Sequence, residues 1–161
     1  MTDANKAPPS VWRNPWHFLA FGFGSGTLPK APGTWGSLLA LGFVPLWQLL
    51  PDWGYGLMLV VTTLFGCWLC GKVARDLGVH DHEGIVWDEL VGMWITLWLV
   101  PAGWQWLLLG FVMFRAFDIV KPWPIRWIDR HLQGGLGIML DDVLAGVFAW
   151  LSMHLIILGL S

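Results

Sequence analysis

Apolar residues in this chain fall into long runs, and the breaks between the runs set the expected elements. Residues 35–50 and 53–71 are two such runs, separated by Pro51-Asp52. At about 1.5 Å per residue, each reaches across most of a hydrocarbon layer of roughly 30 Å, so together they predict a helical hairpin. Residues 90–100 and 104–114, split by Pro101-Ala102-Gly103, predict a second hairpin. Its arms, about 16 Å each, are too short to span alone. Either they are re-entrant, or their helices continue through Asp88 and Glu89 at one end and Arg115 and Asp118 at the other, drawing those charges toward the membrane. Ionisable groups at such depth are costly and face a cavity or one another. Residues 143–160 form the last run and are long enough to span. The expected fold class is all-α: a compact multi-helical membrane protein with two helical hairpins plus a C-terminal helix.

Shorter patterns fill the remainder. Residues 1–13 are polar with Pro8-Pro9 and predict a flexible tail, leaving 14–161 as a single helical, membrane-embedded domain. Asn14-Pro15 opens the aromatic stretch WHFLAFGF, too brief to span and expected as an interfacial helix or entry segment. Residues 22–37 are rich in glycine and hydroxyl groups. They predict a loop whose backbone N–H groups approach an anion, with residues 34–37 at the start of the next helix. The Walker pattern GxxxxGK[ST] is absent.

Composition narrows the class. The 161 residues suit one domain. With 56% hydrophobic residues, 14 Trp and a mean hydropathy of +0.60, the chain reads as a membrane protein. A net charge of −2 and no basic stripe interleaved with aromatics exclude a nucleic-acid partner. The opening residues lack the pattern of a secretory signal, so anchoring is expected from the runs above. If the chain enters and leaves by the two hairpins, all nine Lys and Arg fall on one side, with Asp52 the lone acid on the other. That side is expected to be the cytoplasm, with the N-terminus there and the last helix ending on the far side. The same arrangement gathers the glycine loop, residues 72–89 and residues 114–142 at one membrane face.

The polar chemistry is concentrated in residues 114–142, which hold Arg115, Asp118, Lys121, Arg126, Asp129, Arg130, His131, Asp141 and Asp142. Lys121-Pro122-Trp123-Pro124 cannot continue a helix, and Gly134-Gly135-Leu136-Gly137 opens backbone geometries, so a shaped turn is expected. Two acidic pairs, Asp88-Glu89 and Asp141-Asp142, each read as beginning an apolar helix. Capping would account for one carboxylate per helix, worth about 0.3–1 kcal/mol through the macrodipole. Paired acids in so apolar a chain favour a second role: with Asp118 they offer hard oxygen ligands suited to one or two Mg²⁺ ions. His80-x-His82 has no third ligand at zinc spacing and reads as surface histidines. Cys67 and Cys70 lie within an apolar run and read as packing groups. The signatures of thiol phosphatases, haloacid-dehalogenase phosphatases and histidine lipid phosphatases are missing.

The runs GSGTLPKAPGTWGSL, GVHDHEGIVWDELVGMWIT and FRAFDIVKPWPIRWIDR, the last leading into GGLGIMLDDVLAG, together resemble the bacterial phosphatidylglycerophosphatase A family. The likeness covers about residues 14–149. It implies a Mg²⁺-dependent inner-membrane phosphatase of phospholipid biosynthesis that converts phosphatidylglycerophosphate to phosphatidylglycerol. Soluble relatives with a compact helical core belong to the same family, so some apolar segments are expected to pack within the domain. Joined to the residues above, the resemblance implies metal-assisted hydrolysis of a phosphomonoester at the cytoplasmic face of the bilayer. Asp88, Glu89, Asp118 and Asp142 are the catalytic candidates, and with Asp141 they are the metal candidates. Arg115, Lys121 and Arg126 are candidates for binding phosphate, and Thr34 for contacting phosphate or glycerol. Asp76 and Asp81 are candidates for base or support, and a phospho-aspartate intermediate stays open. A different class, a small transporter or scaffold using the same acids as a cation site, would more naturally show internal repeats and helices broken near the midplane.

Overall fold

The computed structural model describes residues 7–160. Its regular structure is helical: α1 (Pro15–Ala20), α2 (Pro32–Trp47), α3 (Asp52–Leu77), α4 (Trp87–Thr96), α5 (Trp104–Val120), α6 (Ile125–His131) and α7 (Gly134–Leu160), with short 3₁₀ turns at Pro9–Trp12 and Ser25–Thr27. No strand occurs among the described residues. Two helices, α3 and α7, are long and apolar enough to cross a membrane. At 26 and 27 residues they are about 39 and 40 Å long.

α4 and α7 form the centre. α7 packs against α3, α4, α5 and α6, while α4 packs against α2, α3, α5 and α7. The arms of the first hairpin, α2 and α3, flank α4, and two indoles of α4 tie them to it. Trp87 Nε1 donates to the Thr62 carbonyl of α3 at 3.2 Å, and Trp94 Nε1 donates to the Ala40 carbonyl of α2 at 3.1 Å. Indole N–H groups need partners when buried, so tryptophan serves here as an apolar wedge with one directional bond. The two hairpin tips meet: Trp98 Nε1 reaches the Asp52 carbonyl, and Trp98 stacks on Trp150 of α7 at a centroid distance of 6.1 Å. The carboxylate cluster lies at the opposite ends of these helices.

Helix boundaries settle the alternatives left by the second hairpin. α4 begins at Trp87 and takes Asp88 and Glu89 into its first turn, and α5 runs on past Arg115 and Asp118 to Val120. The helices therefore extend through the charges. The C-terminal helix begins earlier than expected, at Gly134, so Asp141 and Asp142 lie about two turns inside it rather than at its start. A role as N-terminal caps is thereby removed for this pair. The glycines before them serve close packing: a Cβ on Gly135 would sit 1.8 Å from the Cys67 carbonyl oxygen of α3. Part of the expected flexible tail, residues 1–6, lies outside the described residues. Pro9–Trp12 is folded, with Val11 fully buried.

The outward faces are apolar. Trp53, Leu64, Leu108, Leu155 and Leu158 are each more than half exposed on α3, α5 and α7. Exposed apolar surface on this scale marks a face covered by something other than water.

Candidate active site

The crossing of α4 and α7 builds the site. A Cβ on Gly146 would fall 2.5 Å from the Gly92 carbonyl oxygen, so the two backbones touch at this glycine pair. Thr96 Oγ1 accompanies the contact, donating to the Gly92 carbonyl at 2.9 Å and to that of Gly146 at 3.4 Å. Asp88 precedes Gly92 by four residues, and Asp142 precedes Gly146 by four. Residues four apart share a helix face, so a close crossing at the glycines carries the two carboxylates to one another. Asp88, Glu89 and Asp142 each place one oxygen within 4.8 Å of the others.

Asp88 and Asp142 are buried and Glu89 is half-buried, and each has an oxygen with no partner. Asp88 is 8% exposed and Asp142 3%. Asp88 Oδ1, Glu89 Oε2, Asp141 Oδ1 and Asp142 Oδ1 make no hydrogen bond. α4, at ten residues or about 15 Å, is too short to be a membrane-spanning segment. Burial first, and then the Glu89 and Asp142 carboxylates, push Asp88 well above the usual carboxylate range. Burial likewise raises Glu89. Unpaired carboxylates held together out of water are strongly unfavourable unless they take up protons or a cation joins them. Orphaned hard oxygens with no thiolate or imidazole among them fit Mg²⁺.

Two further elements close over this cluster. A Cβ on Gly33, in the first turn of α2, would lie 2.1 Å from Glu89 Oε1 and 3.1 Å from Arg115 Nη1. The absence of that carbon lets Glu89 and Arg115 rest against the start of α2, beside Thr34. Ala31 supports the turn in a left-handed conformation at φ +50°, and Pro32 opens the helix. Arg115, on α5, pairs through Nη1 with Asp118, one turn further on, while its Nε is unpartnered. Asp118 also stands beside Asp142.

The other candidates are placed apart from the three acids. Asp141 pairs with Lys121, Nζ to Oδ2 at 2.6 Å, and Lys121 also binds Asp129 at 2.7 Å. Burial alone would lower the Lys121 pKa, but these carboxylates outweigh it and hold the ammonium above its ordinary value. Arg126 donates to the Val120 carbonyl at the surface. Asp76 pairs with Lys72 and His17, and Asp81 is exposed. His82, expected at the surface, is buried instead: it packs on Phe21, and its Nδ1 accepts from the Gly84 N–H, bracing the loop before α4. The sequence does hold a signal for the geometry, since both acidic pairs are followed by glycine in the same register, Asp88 to Gly92 and Asp142 to Gly146.

Comparison with known proteins decides the family. The sequence profile described as Phosphatidylglycerophosphatase A matches residues 18–157. The chain belongs to the phosphatidylglycerophosphatase A family. An Escherichia coli relative named Phosphatidylglycerophosphatase A is 55% identical over 84% of this chain and 80% of its own length. A Haemophilus influenzae relative of the same name is 50% identical over 92% and 93%. A third, from Bacteroides thetaiotaomicron, 43% identical over 83% and 87%, is provisionally named a phosphatidylinositol-3-phosphatase. No solved structure matches. Membership of the phosphatidylglycerophosphatase A family makes this chain an enzyme, a phosphatase, and decides against the transporter and scaffold alternatives.

Proposed function

We propose that this protein hydrolyses the terminal phosphomonoester of phosphatidylglycerophosphate, in a Mg²⁺-dependent reaction of phospholipid biosynthesis at the cytoplasmic face of a bacterial inner membrane. The observation that carries the reading is the set of three clustered carboxylates, each with a buried, orphaned oxygen, beside an arginine in a chain of this family. Asp88, Glu89 and Asp142 would hold the ion. When bound, the ion neutralises phosphate charge and acidifies water, the chemistry that monoester hydrolysis needs.

The chain's own groups do the rest. Arg115, anchored by Asp118, keeps a free Nε–H and presents fixed positive charge next to the carboxylates, suited to a phosphoryl oxygen. Because Asp118 holds the guanidinium in place beforehand, little reorganisation is needed when charge develops on the phosphoryl group. The first turn of α2 brings its backbone to the same spot at Gly33, whose neighbour in the chain is Thr34. Hydrolysis forms a bond from water oxygen to phosphorus and breaks the bond from phosphorus to the glycerol oxygen, which leaves as the alcohol after taking a proton.

The same geometry bears on topology. The ends of α3 and α5 that carry Lys72, Arg75, Arg115 and Lys121 lie with the carboxylates, opposite the Asp52 tip, and this supports the cytoplasmic assignment. Purified protein in detergent should release phosphate from phosphatidylglycerophosphate with Mg²⁺ and stop in EDTA. Full activity in strong chelator would sink the metal assignment, and no release under any divalent ion would sink the substrate.

A further inference from the structure

The bend from α5 into α6 forms a groove of about 340 Å³ that the catalytic reading leaves unused. It is lined by the cations Lys121, Arg126 and Arg130 together with the apolar surfaces of Val120, Trp123 and Trp127. Trp123 is 81% exposed and Trp127 52%. The Trp127 ring is held by stacking on His131, with centroids 4.7 Å apart and planes inclined by 19°. Lys121 is compensated by Asp129 and Asp141, whereas Arg126 and Arg130 form no ion pair among the described residues. The groove thus combines uncompensated guanidinium charge with a wall of indole and aliphatic surface. Lys121, which lines the groove, bonds Asp141, the residue before Asp142 in the chain.

A free phosphate would use the cations and leave the wall bare. A headgroup without phosphate would use the wall and leave the cations bare. The chemistry that satisfies both is a phosphodiester carrying an acyl-glycerol, and guanidinium groups suit its non-bridging oxygens. We propose that this groove binds the phosphodiester linking the headgroup to diacylglycerol in the lipid substrate, while the terminal phosphate occupies the carboxylate and Arg115 site. The proposal rests on the substrate reading above. It divides recognition between two subsites, one for the phosphate that leaves and one for the phosphate that stays. It also gives α6 a position: lying along the membrane surface with its tryptophans at headgroup level, where amphipathic rings settle.

The test uses full-length protein in detergent with two ligands kept below their micellar concentrations. These are dihexanoyl-phosphatidylglycerophosphate as substrate and dihexanoyl-phosphatidylglycerol, which has the diester and no monoester, as calorimetric ligand. Inorganic phosphate, as inhibitor, reports the monoester subsite. The double variant Arg126→Gln with Arg130→Gln raises KM for the substrate and Kd for the diester ligand by about 10-fold, more than it raises the inhibition constant of phosphate. Trp127→Leu alone raises the same two constants, which guards against a folding defect from the double charge change. KM and Kd equal to those of the parent overturn the proposal. So does a defect that appears only with long-chain substrate in anionic vesicles, because the surface would then serve membrane attachment. If the parent does not hydrolyse the short-chain substrate, the substrate reading fails, and the calorimetric arm still judges the groove.

Discussion

Two groups of carboxylates stand close together at the polar end of this molecule and solve the same problem in opposite ways. Asp129 and Asp141 share Lys121, so their charge is partly balanced within the protein. Asp88, Glu89 and Asp142 form no ion pair among the described residues; Arg115 is engaged by Asp118. Sequence alone makes Asp141 and Asp142 look interchangeable. Helix geometry turns them about 100° apart around α7, one toward Lys121 and the other toward α4. Balanced charge is structure, while unbalanced buried charge is held ready for something that arrives from outside.

The largest expected effect comes from removing charge on the unbalanced side. Asp142→Asn or Glu89→Gln should lower turnover at saturating Mg²⁺ on the order of 100- to 1,000-fold, while circular dichroism shows retained helix. In EDTA the Asp142→Asn protein should melt above the parent, since like-charge repulsion in a buried site is relieved. Asp141→Asn should melt below it, since Lys121 loses a partner. A lower melting temperature for Asp142→Asn in chelator would break the comparison.

Next in size is Gly33→Ala. The added methyl group would press on Glu89 Oε1, so the Mg²⁺ concentration giving half-maximal rate should rise and turnover fall by about 10- to 100-fold, as for a displacement near 1 Å. Shortening the opposing side chain with Glu89→Asp in the same protein should recover part of the loss. A Gly33→Ala enzyme with parental Mg²⁺ dependence would remove Glu89 from the ion's surroundings.

Lys121→Met tests the balanced side. With a side chain 26% exposed, Lys121 should cost about 1–2 kcal/mol of stability when replaced, after allowance for solvent screening. Its pKa is raised by Asp141 and Asp129, so the contribution is fully present below the ordinary lysine value of about 10.4 and lost as pH rises through the higher folded value. The parent's stability advantage over the variant should therefore be constant from about pH 8 to about pH 10 and shrink above it. A difference that vanishes near pH 7 would mean that the pair does not exist in solution.

The smallest effect is expected for Asp129→Asn. Asp129 is 41% exposed and Lys121 keeps Asp141, so stability should change by no more than about 0.5 kcal/mol. A loss as large as that of the Lys121 variant would show that Asp129, and not Asp141, anchors the lysine.

The helical class, the breaks at Pro51 and Pro101 and the concentration of chemistry between residues 114 and 142 are properties of the chain itself, because periodicity, proline and composition act locally. The identity of the acidic residues was legible for the same reason: charge in an apolar chain is conspicuous wherever it occurs. Which acids act together was not. That depended on the start of α7 at Gly134, which moved Asp142 off a helix end, and on the Gly92 and Gly146 backbones touching, which set it against Asp88 and Glu89. It depended as well on Gly33 leaving room for Glu89, and on Lys121 withdrawing Asp141 into an ion pair. A sequence lists donors in one dimension, and only the register between packed helices, set by van der Waals contact at small residues, decides which oxygens share a site and which find a cation of their own.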